Sequence, residues 1–154
     1  MVFVSIENEL VDIVHIDRIA KAVAIFEASK QQIYADFLGH YSGLDSNPQA
    51  KECGLNKLHI ALTEEELISR QWHFNSHRPQ NRTSDSFIIF VRHWLYPEYV
   101  RILDIVSPQA HQRIDKLIPD LINKAELFFS FNKAILEKQH HYIPDDIITG
   151  QHVV

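Results

Sequence analysis

Residues 86–93 and 99–106 are two short apolar runs, Phe87-Ile88-Ile89-Phe90-Val91 at the heart of the first and Val100 to Val106 making up most of the second. They constrain the fold more than anything else in the chain. Each falls well short of the ~20 residues needed to span a bilayer. Their β-branched and aromatic content suits central strands better than helices. Joined through Leu95-Tyr96-Pro97-Glu98, they read as a hairpin. A polar cluster, Arg82-Thr83-Ser84-Asp85, precedes the first run, and the second ends in Ser107-Pro108-Gln109-Ala110-His111. An arginine, a histidine, a carboxylate and two hydroxyls therefore gather near one sheet end, a set suited to moving protons and stabilising an anion.

The rest of the chain arranges itself around that hairpin. Val2, Val4 and Ile6 alternate with Phe3 and Ser5, which predicts a short N-terminal strand. From an N-cap at Asp17, Ile19, Ala20, Val23, Phe26, Ile33, Tyr34, Phe37 and Tyr41 recur at mostly helical steps. That pattern predicts one long helix, or two broken near Ser29, ending at Ser42-Gly43. Leu58, Ile60 and Leu62 alternate with His59 and Ala61, a second strand with His59 on the opposite face. Thr63 followed by Glu66 is a capping-box signature. After Pro108 a helix is expected to run to about residue 130, with Ile114, Leu117, Ile118, Leu121, Ile122, Ala125 and Phe128 inward and a kink or break at Pro119. From Asn132 the pattern fades, and Pro144-Asp145-Asp146 breaks what remains. The expected class is α+β: a small antiparallel sheet packed against N-terminal helices and a C-terminal helix.

With 154 residues the chain fits one domain, residues 1–131, followed by a C-terminal extension, 132–154. No signal peptide or membrane span is visible, and the lone Cys53 fits a reducing cytoplasm. A net charge of −5 argues against a free-standing nucleic-acid binder with a broad basic face. The exception is 70–82, with three arginines, two histidines, two aromatics and no acid. Arg70, Arg78 and Trp72 there suit phosphate clamping and base stacking; a merely solvated basic loop fits equally well.

The ordered motifs resemble the YafO family of bacterial toxins, which are grouped with the RelE-like ribonucleases. The matching pieces are Asp36-Phe37 in a helix, the strand Leu58-His59-Ile60-Ala61, Arg82-Thr83-Ser84-Asp85, Pro108-Gln109-Ala110-His111 and Ala125-Glu126-Leu127-Phe128. Phe129 departs from the pattern, since the family commonly has an arginine there. The resemblance implies a RelE-like fold and an endoribonuclease that cuts messenger RNA on the ribosome. It also implies a cognate antitoxin as partner, with a homodimer or a toxin–antitoxin hetero-oligomer as the expected assembly.

Metal-free RNA cleavage needs a base for the 2′-hydroxyl, a cation for the phosphate and an acid for the leaving oxygen. His111 is the expected base or acid, unless it only caps or packs at the helix start. Arg82 is the expected phosphate ligand, unless it pairs with Asp85. Asp85 is expected to orient Arg82 or a histidine. His59 is either a second proton-transfer group or a satisfied core histidine. Thr83 and Ser84 either line the RNA path or bond the local backbone. No metal or cofactor is expected: His73 and His77, four apart, lack a third ligand, and no glycine-rich phosphate loop is present. His140-His141 reads as surface, and Trp94 as core or interface. The competing reading is a catalytically inactive, toxin-like module that acts by binding a partner protein.

Overall fold

The computed structural model describes residues 1–144; the expected break at Asp145-Asp146 lies outside the described residues. Five strands form one sheet: β1 (Phe3–Ile6), β2 (Leu38–Gly43), β3 (Asn56–Ile60), β4 (Phe87–Arg92) and β5 (Tyr99–Val106). Their spatial order is β1-β5-β4-β3-β2. The two apolar runs are indeed its interior, with Phe87 to Val91 all buried. The sheet is mixed rather than antiparallel. Only β1 departs, running parallel to β5 with Val4 opposite Val100, and alternation alone carries no information on strand direction.

Among the described residues six α-helices accompany the sheet: α1 (Ile16–Ala28), α2 (Pro48–Cys53), α3 (Glu64–Ile68), α4 (Arg70–Phe74), α5 (Ala110–Phe129) and α6 (Lys133–Lys138). Helix α1 covers one sheet face, burying Ile19, Val23 and Phe26 with Leu58, Ile88 and Phe90. On the other face α5, α2 and α6 meet Phe87, Ile89 and Leu103 through Ile118, Leu121, Ala50 and Leu136. Alternate residues of β4 thus point into two separate cores, as a period of two demands. The expected stripe of α5 faces inward, and the helix passes Pro119 undivided.

The helix predicted to reach Tyr41 stops at Ala28. Its N-cap is His15, with Asp17 in the first turn. Lys30 and Gln31 then take positive φ, at 56° and 63°, which ends the helix and turns the chain. Ile33 and Tyr34 lie in the following loop, and Phe37 just before β2. Their helical spacing in sequence is therefore fortuitous, and Asp36-Phe37 is not helical. Within the expected extension, Leu136 is fully buried, and Tyr142 pairs with Val4 through backbone hydrogen bonds of 2.9 and 2.7 Å. His141 is not a surface residue; it is half-buried, its ring stacking edge-on against Phe3 and Tyr99.

Candidate active site

Strand β3 and the 82–86 segment meet at the same end of the sheet where β5 gives way to α5. That junction brings three of the expected residues together. Asp85 accepts hydrogen bonds at one carboxylate oxygen from the His111 backbone N–H (3.0 Å) and from His111 Nδ1 (2.8 Å). The Asp85 carbonyl accepts from Ala110 N–H as well (3.1 Å). Asp85 thus supplies the cap that Gln109, at φ 58° and without a side-chain bond, does not give to α5. These bonds from His111 hold the Asp85 carboxyl below the ordinary carboxylate range. In its neutral form His111 carries its proton on Nδ1, toward the carboxylate, and presents the Nε2 lone pair outward. The side chain is 60% exposed.

His59 stands beside it with ring centroids 5.8 Å apart. Only 2% of the residue is accessible, and its Nδ1 accepts the Ser84 backbone N–H at 2.8 Å. Nδ1 is therefore the bare nitrogen and Nε2 carries the hydrogen; among the described residues Nε2 has no protein acceptor. Burial, with Lys57, His40 and His111 adding positive charge nearby, pushes its pKa down to about 3. At neutral pH His59 is a neutral hydrogen-bond donor, which does not fit the first of its two expected roles, proton transfer. Phe87 forms the floor, its ring 4.7 Å from His59 and 4.8 Å from His111. Lys57 Nζ lies 4.8 Å from the same ring, and burial lowers its pKa.

Arg82 is elsewhere, and this corrects the expectation of a phosphate ligand. The residue is 5% exposed, and its guanidinium bonds the Leu38 carbonyl (2.6 and 3.0 Å) and the Ala35 carbonyl (3.2 Å). It is turned from Asp85 and sits beneath Trp72, 5.2 Å from that ring. Three of its five N–H donors are thus spent on buried carbonyls rather than held out toward a phosphate. Trp72 is corrected too: it is 3% exposed, with Nε1 donating to Asp36 O at 2.9 Å, so it offers no open face for a base. Ser84 Oγ lies 2.7 Å from the Ile60 carbonyl, which ties the turn to β3, and Thr83 is half-buried beside it. Arg70 opens α4, and exposed Arg78 stacks over Phe74. The basic stretch is thus partly helical rather than a loop.

His40 on β2 belongs to the cluster and had no motif to announce it. Its ring lies 5.8 Å from His59, on an exposed residue whose Nδ1 is 2.9 Å from the Gln80 carbonyl. Sequence reading placed this position in a helix, on which it would never have faced His59. Among the described residues no group of three metal-ligating side chains occurs. A cavity of about 880 Å³ lies between α2 and α5 and is lined by Trp94 and Phe129 but by none of these histidines. Phe129 therefore stands in that groove and away from the Asp85–His111 pair. Trp94 is not core: it is 68% exposed there, with Nε1 donating to Phe129 O. Cys53 lines the same groove, its thiol pushed up to about 11 by burial and thus unreactive at neutral pH.

The family comparison defines the toxin half of a type II toxin–antitoxin system, since one family model of that description matches residues 24–130. The chain belongs to that family, Toxin YafO. Such a toxin has a cognate antitoxin as its partner. Neither the search of curated proteins nor that of solved structures returned a match. No described helix is long and apolar enough to cross a membrane.

Proposed function

We propose that this toxin is a cytoplasmic endoribonuclease that cleaves messenger RNA on the ribosome without a metal. The observation carrying this reading is the Asp85–His111 pair beside a neutral His59. His111 Nε2 takes the proton of the RNA 2′-hydroxyl, with Asp85 holding the ring and favouring the imidazolium that forms. The 2′-oxygen attacks phosphorus as the P–O5′ bond breaks, leaving a 2′,3′-cyclic phosphate and a 5′-hydroxyl. Charge gathering on the non-bridging oxygens meets His59 Nε2–H and the Lys57 ammonium, in the place first assigned to Arg82. Arg82 is instead a positioning residue, and Arg70 and Arg78 are left to steer the backbone of the RNA.

Expression of the chain should arrest growth and generate message fragments ending in cyclic phosphate, and His111→Ala should abolish both while the protein stays folded. Intact messages under growth arrest would sink the reading. They would favour the second one, a toxin-like module that acts by binding protein. Its supporting observation is the exposure of Ile68 and Phe74, at 76% and 67%, on α3 and α4.

A further inference from the structure

The reaction just described lacks a group to return a proton to the departing 5′-oxygen. We propose that His40 is that proton donor, acting across the neutral His59 from the base His111. The inference rests on the ribonuclease reading. Displacement at phosphorus by an internal 2′-oxygen is in line, so the base and the acid must address opposite sides of the reacting atom. His40 and His111 each stand 5.8 Å from His59 and, among the described residues, make no ring contact with one another. A phosphate seated on His59 Nε2–H would have one solvent-facing imidazole on either side.

The placement of His40 is fixed from three directions. Its backbone N–H donates to the Arg82 carbonyl at 2.7 Å. The neighbouring Gly39 leaves room for this approach, because a Cβ there would collide with the same carbonyl and meet the Trp72 ring at 3.0 Å. Nδ1 lies 2.9 Å from the Gln80 carbonyl, which can only accept, so that nitrogen keeps a hydrogen and Nε2 faces outward. When protonated, the ring retains that bond and gains an Nε2–H to deliver. The charged and titratable groups on its side of the sheet are His59 on β3, with Lys57 beside that ring, and Arg82 in the turn, whose guanidinium points to Leu38 and Ala35. Among the described residues no carboxylate bonds either ring nitrogen.

In the step itself, the Nε2–H bond of the His40 imidazolium breaks as the P–O5′ bond breaks. The proton goes to O5′ and the ring is left neutral, while His111 has gained the 2′ proton. The two histidines end with exchanged charge states, and solvent resets them.

The test uses the full chain and short oligoribonucleotides assayed free and on programmed ribosomes. One substrate is ordinary; the other carries sulfur in place of the bridging 5′-oxygen at the cleaved linkage, a leaving group that needs no acid. His40→Asn keeps a donor for Gln80, and unchanged melting would show that it folds. On the ordinary substrate it should be slower by about 10²–10⁴-fold, and on the sulfur substrate within a few-fold of wild type. His111→Asn should stay slow on both. Equal cleavage of the ordinary substrate by wild type and His40→Asn would overturn the assignment, as would a defect that persists in full on sulfur. A wild-type chain that cuts neither substrate in either setting would instead remove the ribonuclease reading, and this inference with it.

Discussion

One oxygen of Asp85 accepts from both the ring Nδ1 and the backbone N–H of His111, at 2.8 and 3.0 Å. The first turn of α5 and the orientation of the imidazole are therefore set by the same atom. Asp85→Asn should separate the two. An amide oxygen can still cap the helix, yet it offers no charge to an imidazolium, so melting should change little while cleavage falls by about 10²–10⁴-fold. Loss of melting temperature in proportion to loss of rate would show the carboxylate to be only a cap.

Lys57 is the cation facing the histidines, and among the described residues no carboxylate lies within ion-pair distance of its ammonium. Lys57→Gln is expected to lower the cleavage rate by about 10²–10³-fold without unfolding the chain. Lys57→Arg should restore part of it. Rates unchanged in Lys57→Gln would leave His59 as the sole phosphate donor.

Arg82→Ala should act on the fold. Removal of the guanidinium strands the Leu38 and Ala35 carbonyls and empties the space under Trp72. The expected loss is about 3 kcal/mol, or roughly 10 °C in melting temperature. Any loss of cleavage should follow the folded fraction, measured by circular dichroism on the same samples. A variant that melts like wild type yet no longer binds RNA would return Arg82 to the phosphate.

His59 makes stability depend on pH. Its folded pKa, about 3, lies below the unfolded value of about 6.5. Between these limits the unfolded chain takes up a proton that the fold refuses. Stability is thus whole above pH 6.5 and is lost progressively as pH falls toward 3, by on the order of 4 kcal/mol. His59→Asn, which keeps an acceptor for Ser84 N–H, should flatten that slope in denaturant titrations from pH 7.5 to 4. Parallel slopes would count against a buried neutral ring.

Much of this was legible in the residues. Phe87 to Val91 declared a central strand because no polar residue interrupts it, and the stripe from Ile114 to Phe128 declared the face of α5. Thr63 and Glu66 form the expected cap, with Thr63 Oγ1 accepting Glu66 N–H at 3.1 Å. The order of His59, Asp85 and His111 also foretold their meeting. Strand β2 was hidden, since Tyr34, Phe37 and Tyr41 are spaced like helix residues. The turn that ends α1 is made by Lys30 and Gln31 in left-handed conformations that neither residue type advertises. His40 was lost with that strand. Arg82 was misread for a different reason: a charged side chain gives no sign in sequence of whether backbone carbonyls await it inside.

Tyr142 on Val4, and the Arg82 carbonyl on His40 N–H, have a consequence for assembly. The outermost strands, β1 and β2, each already have a backbone group on their open side satisfied within the chain. A partner that lengthens the sheet with a strand of its own must first unseat one of these segments. On the β2 side the displaced piece would be the turn that fixes His40. An antitoxin joining there would dismantle the site without touching its histidines, whereas one that lies across a helical face would leave the sheet as it is.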